Sequence, residues 1–219
     1  MKILTLLSIG LVIGLAGCNL ISNTSNVKGS GNVKTEKRSL ASFDSLDANY
    51  VGSIQVRSQG QESLEISGDD NIIPLITTKV KNGTLYIRPT KGYNPQQKLQ
   101  IIISTPDLKK FVFDGVGKAN LSNVKNDRLE IVVNGVGDFS ASGETKEADI
   151  TLSGVGSLDA KNLHTVNAKV NSTGVGNVDI YVTGKLDAKT SGVGEINYYG
   201  SPKIVNSQAE GIGKINRDK

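Results

Sequence analysis

Over the second half of the chain, apolar and polar positions alternate in short runs that recur about every nineteen residues. Each run opens after a three-residue phrase: Gly115-Val116-Gly117, Gly135-Val136-Gly137, Gly154-Val155-Gly156, Gly174-Val175-Gly176, Gly192-Val193-Gly194 and Gly211-Ile212-Gly213. Two residues past the second glycine stand Ala119, Phe139, Leu158, Val178, Ile196 and Ile215, all apolar. Four past it stand Leu121, Ala141, Ala160, Ile180 and Tyr198; between the two apolar sets lies a small polar row, Asn120, Ser140, Asp159, Asp179, Asn197 and Asn216. Period two predicts a strand with one buried face. A second alternating strand closes each unit, as in Leu129-Ile131-Val133, Ala148-Ile150-Leu152, Ala168-Val170 and Leu186-Ala188. Helical periodicity is absent from this half.

Repetition at this period predicts a parallel β-helix, or β-solenoid, with coils of about 19 residues stacked roughly 4.8 Å apart. Each Gly-Val-Gly then marks a corner where the chain turns between faces, because glycine admits close backbone approach and angles a Cβ forbids. The central valine, or Ile212, is expected to stack on its equivalents inside the corner. Before the corners come Asp114, Asn134, Ser153, Thr173, Ser191 and Glu210. Five of these six are short side chains that can hydrogen-bond turn backbone.

The first half follows a different β pattern, with strand-like runs at Tyr50–Arg57, Ser63–Ser67, Thr84–Arg88, Leu99–Ser104 and Phe111–Phe113. Asp69 or Asp70 can cap a short helical turn before Ile72, limited by Pro74. Lys81-Asn82-Gly83 predicts a tight hairpin turn into Leu85-Tyr86-Ile87. Phe43 with "VGSIQVRSQG", "VKNGTLYIRP", "IIISTPDLKKFVFDGVG" and the repeated corners together resemble the putative auto-transporter adhesin, head GIN domain family, over about Arg38 to Lys214. The resemblance implies an all-β, right-handed β-helix on a secreted or lipid-anchored bacterial envelope protein, with no catalytic residues to carry over.

The N-terminus changes the picture of where the protein resides. Lys2, the apolar run from Ile3 and the ending Leu15-Ala16-Gly17-Cys18 read as an export signal, and the ending resembles a lipoprotein box. Cys18, the only cysteine, is therefore expected to carry the lipid, including palmitate, and to anchor the protein to the membrane. Asn19 is not acidic, which resembles outer-membrane sorting. Residues 1–18 are thus read as signal and lipobox, 19–38 as a flexible tether reaching on the order of 25 Å, and 39–219 as the β-helical domain. Without Lys2 the formal charge is 24 − 21 = +3. The lysines are scattered with no aromatic-basic alternation, so no nucleic-acid partner is expected.

The glycine phrases lack the Gly-Lys-Ser/Thr ending of a phosphate loop and the regular aspartate of a calcium β-roll, since Lys118 and Lys214 follow two of them. His164 is the only histidine and is expected in a solvent-facing loop, with no triad around it. No metal or cofactor is expected, and no catalysis. Asp159 and Asp179 should lie about 5 Å apart on adjacent coils, close to Lys161. Five residues past the second glycine come Ser122, Ser142, Lys161, Tyr181 and Tyr199, so the two tyrosines should stack outward beside the polar row. Tyr181, Tyr199, Asp159, Asp179 and Asn197 form the candidate ligand-binding face, suited to glycan. The function expected is an adhesin-type envelope protein that binds glycan or another envelope protein. A carbohydrate-active β-helix enzyme and a purely structural envelope module are the alternatives. Lys214–Lys219 predicts a charged last rung that discourages end-to-end stacking, and with it a monomer.

Overall fold

The computed structural model describes residues 26–218. The chain is a parallel β-solenoid of about five turns. Strands Val116–Val133, Val136–Leu152 and Leu158–Ser172 each run nearly a whole coil and pair in parallel with the next. The predicted pairs of short strands are therefore fused, through irregular bends with register shifts at Leu121/Val124, Ser140/Ser142 and Ala160/His164. Beyond them the coils separate into Val178–Val182 with Lys185–Thr190, and Glu195–Tyr199 with Ile204–Ala209, before Lys214–Arg217.

Alternation stacks equivalent side chains into interior columns. One column runs Leu85, Leu46, Phe111, Ile131, Ile150, Val170 and Ala188, widest at Phe111 and tapering from there to a methyl. Another runs Ile101, Ile54, Ala119, Phe139, Leu158, Val178 and Ile196, all buried. Within it the small Ala119 leaves room beside the large Phe139, whose ring meets Phe111 edge-on at 5.1 Å between centroids. Burying each such side chain contributes roughly 1.5–3 kcal/mol.

The columns continue into the first half. Ser45–Ala48 stacks under Lys110–Phe113, and Val51–Ser58 under Val116–Ser122, so Tyr50-Val51-Gly52 is one more corner with a buried tyrosine in the first glycine's place. Thr84–Pro89 and Gln100–Thr105 form the rung beyond. There parallel stacking stops. Antiparallel Ile76–Lys81 covers one strand and antiparallel Ser63–Asp69 the other. The short helical turn is Ile73–Leu75, with no side-chain cap, so neither Asp69 nor Asp70 caps it.

Two further expectations are corrected. The tether does not extend through residues 26–38, because Val27–Lys28 pairs with Tyr93–Asn94 and Val33–Arg38 pairs antiparallel with Ser63–Asp69. This edge strand carries Lys34, Glu36, Lys37 and Arg38, the charges that protect a sheet edge and that make it resemble a linker. Arg38 fixes it by donating to the Ile73 and Ile76 carbonyls. Nearby, the buried Asp69 carboxylate accepts from the backbone N–H groups of Gly31, Gln96 and Gln97 at 2.7–2.9 Å. Cys18 and the remaining tether lie outside the described residues.

The second correction concerns the corners. Through Val133, Asn134, Gly135, Val136, Gly137, Asp138 and Phe139 the alternation never breaks, so Gly135 is buried and Val136 is turned outward. A Cβ on Gly135 would lie 2.0 Å from the Gly115 carbonyl oxygen, and one on Gly137 (φ +134°) would lie 1.8 Å from that of Gly117. The glycines face the rung below and leave no space inside for valine.

Candidate ligand-binding face

The polar row is built as the alternation predicts. Asn120, Ser140, Asp159, Asp179, Asn197 and Asn216 pair rung to rung on the outer face. Their side chains form a partial ladder: Asn120 donates to Ser140 at 2.8 Å, Asn197 to Asp179 at 3.0 Å, and Asn216 to Asn197 at 3.2 Å. Asp159 and Asp179 are direct neighbours, and Lys161 Nζ lies 3.8 Å from one carboxylate and 3.9 Å from the other. One ammonium between two carboxylates relieves their repulsion.

The ring column differs from simple counting. Tyr181 and Tyr199 are direct partners, as expected. The residue paired with Tyr181 on its other side is His164, not Lys161, because the register shifts between Ala160 and His164. The outer column therefore reads Lys125, Glu144, His164, Tyr181, Tyr199. His164 is exposed within Leu158–Ser172 rather than in a loop, and its ring meets Tyr181 edge-on at 4.6 Å and 74°. Lys161 turns back, its N–H donating to Asp159 at 3.1 Å, and its ammonium sits 5.8 Å from the Tyr199 ring centroid.

Tyr199 donates to Asp218 at 3.0 Å. Desolvation first, then this hydrogen bond and the carboxylates of Asp179, Asp218 and Asp159, push its phenol up to about 12. The hydroxyl therefore remains a donor throughout the neutral range. Beside the column lies an open depression of about 670 Å³, where Lys125, Glu144, Thr145, His164 and Tyr181 meet. The face thus offers three adjacent rings, a flanking cation, and a ladder of amide, hydroxyl and carboxylate groups at one rung spacing. Among the described residues no three His, Cys, Asp or Glu side chains converge as metal ligands.

Ser122 and Ser142 do not extend the ring column; Ser122 is paired with Arg57 and Ser142 with Asn162. His164 was missed because the coil between Gly154 and Gly174 spends extra residues on its bend. The available signal was the shorter spacing, 18 residues, from Gly174 to Gly192, which places Tyr181 earlier in its own coil.

Residues 42–202 match the family described as "Putative auto-transporter adhesin, head GIN domain". A crystal structure of a putative adhesin from Bacteroides fragilis aligns with a TM-score of 0.74 at 30% identity, covering 88% of this chain and 100% of that one. A structure described as a putative lipid binding protein from Parabacteroides distasonis shares the fold at a TM-score of 0.52 and 23% identity, covering 89% of this chain and 100% of that one. None of the curated proteins matches the sequence. With the corners, the stacked columns and the match over most of its length in hand, the chain belongs to the putative auto-transporter adhesin, head GIN domain family, a group of adhesin-type binding proteins.

Proposed function

We propose that this protein is held in the cell envelope by a lipid on Cys18, in the outer membrane, and that it binds glycan through the face built on Tyr181 and Tyr199. The observation that carries the reading is the pairing of these two rings in register, beside Asp159, Asp179 and Asn197. A phenol presents an apolar face to the C–H side of a sugar ring and a polar edge to its hydroxyls. The rung spacing is comparable with one sugar unit, so successive units of an extended glycan meet successive rungs. Lys161 and the two aspartates supply donors and acceptors at the rim.

The test is a glycan array probed with the full chain, followed by titration of any hit. Tyr181→Ala and Tyr199→Ala should each weaken binding at least about tenfold, a loss of roughly 1.4 kcal/mol. Binding that survives both substitutions overturns this face as the site. For the anchor, Cys18→Ser should move the protein out of the detergent phase, and unchanged partitioning would refute lipidation there.

A further inference from the structure

The outward corners create a surface that the glycan reading leaves unused. Val51, Val116, Val136, Val155, Val175 and Val193 pair rung to rung in one straight column. Each is 43–51% exposed, and Ile212, at the next corner, is 74% exposed. Seven rungs at the strand spacing give an apolar ridge on the order of 29 Å long. It stands at the glycine corners, apart from the irregular bends that carry His164. On its upstream side runs a polar row of which Asn134 donates to Asp114 at 2.7 Å and Thr173 to Ser153 at 3.3 Å. On its downstream side Lys118 lies 3.9 Å from Asp138. An apolar strip rimmed by polar side chains is the make-up of a protein interface, apolar at its centre and hydrogen-bonding at its rim.

We propose that the ridge joins two copies of this chain side by side, in parallel, about a two-fold axis running along the ridge. The argument for the occupant is complementarity. A parallel two-fold places the upstream rim of one copy against the downstream rim of the other, rung for rung. Asp114 then faces the partner's Lys118, Asn134 the partner's Asp138, Ser191 the partner's Glu195, and Glu210 the partner's Lys214, with small polar residues at the other rungs. Reversing one copy with all seven rungs in contact sets Lys118 against the partner's Glu195, but moves Asp114 to the partner's Ser191, Asp138 to the partner's Asn177 and Glu210 to the partner's Asn49. The parallel pair makes two kinds of opposite-charge contact and the reversed pair one, so charge favours the parallel orientation. The extent also suits a dimer: the ridge and its two rims supply about 20 residues a side, the size of a standard interface.

The parallel arrangement also agrees with how the chain enters the domain. Val27 pairs with Tyr93, and the Tyr93 hydroxyl both donates to and accepts from the backbone of Val51 at 2.8 Å. Residue 26 therefore enters at the Val51 end of the ridge, and a parallel pair brings both N-terminal segments to the same end. A dimer departs from the monomer expected from the charged last rung; that rung opposes end-to-end stacking only, and the ridge is lateral.

The experiment uses the full chain in detergent. Sedimentation should show a concentration-dependent dimer, and Val155→Glu with Val175→Glu should raise its dissociation constant at least tenfold. Val116→Cys and Val193→Cys should each cross-link to themselves, above the baseline that Cys18 gives in the unsubstituted chain. A reversed pair would cross-link in neither. Circular dichroism checks that the strands persist. Val155→Thr, which keeps shape while losing apolar surface, should weaken dimerisation in the same direction should the glutamates unfold the chain. A monomer at high micromolar concentration, a dimer indifferent to these substitutions, or absent self-cross-links would each overturn the proposal. So would a monomer whose ridge variants lose binding to phosphatidylethanolamine–phosphatidylglycerol vesicles, since the ridge would then face lipid.

Discussion

The two halves of the molecule share one stack and one core, yet are held together differently. From Asp114 onward, each rung repeats its neighbour, and outside the irregular bends the interior side chains rest on equivalents in the next rung. The cohesion of this half is spread over many similar contacts between nearest neighbours, as in other solenoids. In the first half the rungs are capped by antiparallel strands, and single residues tie distant segments together. Asp69 joins the loop around Gly31 to that around Gln96, Arg38 fastens the N-terminal strand to the helical turn, and Tyr93 clamps Val51. A repeated rung needs no unique fastener, because its hydrogen bonds are specified by stacking. The rung at the end of a stack does need one, since its outer edge would otherwise be unpaired.

The hardest test of this contrast is the joint between the halves. Phe139→Ala removes a buried ring that touches Phe111 across it and should cost about 3–5 kcal/mol. If the halves fold as one unit, hydrogen exchange will speed up in both together. Faster exchange confined to the coils after Gly135 would instead show two separable units.

Within the repeat, the corner should matter far more than the outer face. Gly137→Ala sets a Cβ against the Gly117 carbonyl at a positive φ and should cost roughly 2–4 kcal/mol. Asp159→Asn, on the outer row of the same body, should change stability by less than about 0.5 kcal/mol. Urea unfolding of the two variants measures both, and equal losses would contradict the register.

The smallest effect expected is in acid, and it belongs to the first half. Burial works against the charge on Asp69, but the N–H groups of Gln97, Gly31 and Gln96 outweigh it and hold the carboxyl below its ordinary 3.8. A depressed folded pKa contributes stability that is complete above the unfolded value and is lost as pH falls through the folded one. The urea midpoint should therefore decline below about pH 4, and Asp69→Asn should flatten part of that decline. An unchanged slope would remove Asp69 from its role as a fastener.

Much of this was legible in the sequence, and the reasons are local. Alternation fixed which residues enter the core, as at Phe139, Leu158 and Val178, and the glycine spacing fixed the coil length. It also set the order Asp159, Asp179, Asn197 along the outer row. The same count corrects the valines expected inside the corners: stepping back in twos from Phe139 reaches Gly137 and Gly135, never Val136. A residue's face in a strand follows from its immediate neighbours, which the sequence lists in order.

What only the tertiary structure decided lies where pairing is remote or the register slips. Val33–Arg38 has the composition of a linker and is a strand because Ser63–Asp69, some thirty residues away, offers an edge. Tyr50 stands where other corners have glycine, because the chain beyond it turns from stacking to capping. The pairing of His164 with Tyr181 depends on how many residues each bend absorbs. A period of two within a strand is enforced by local sterics, whereas the choice of partner and the slack in a bend follow from long-range closure of the stack.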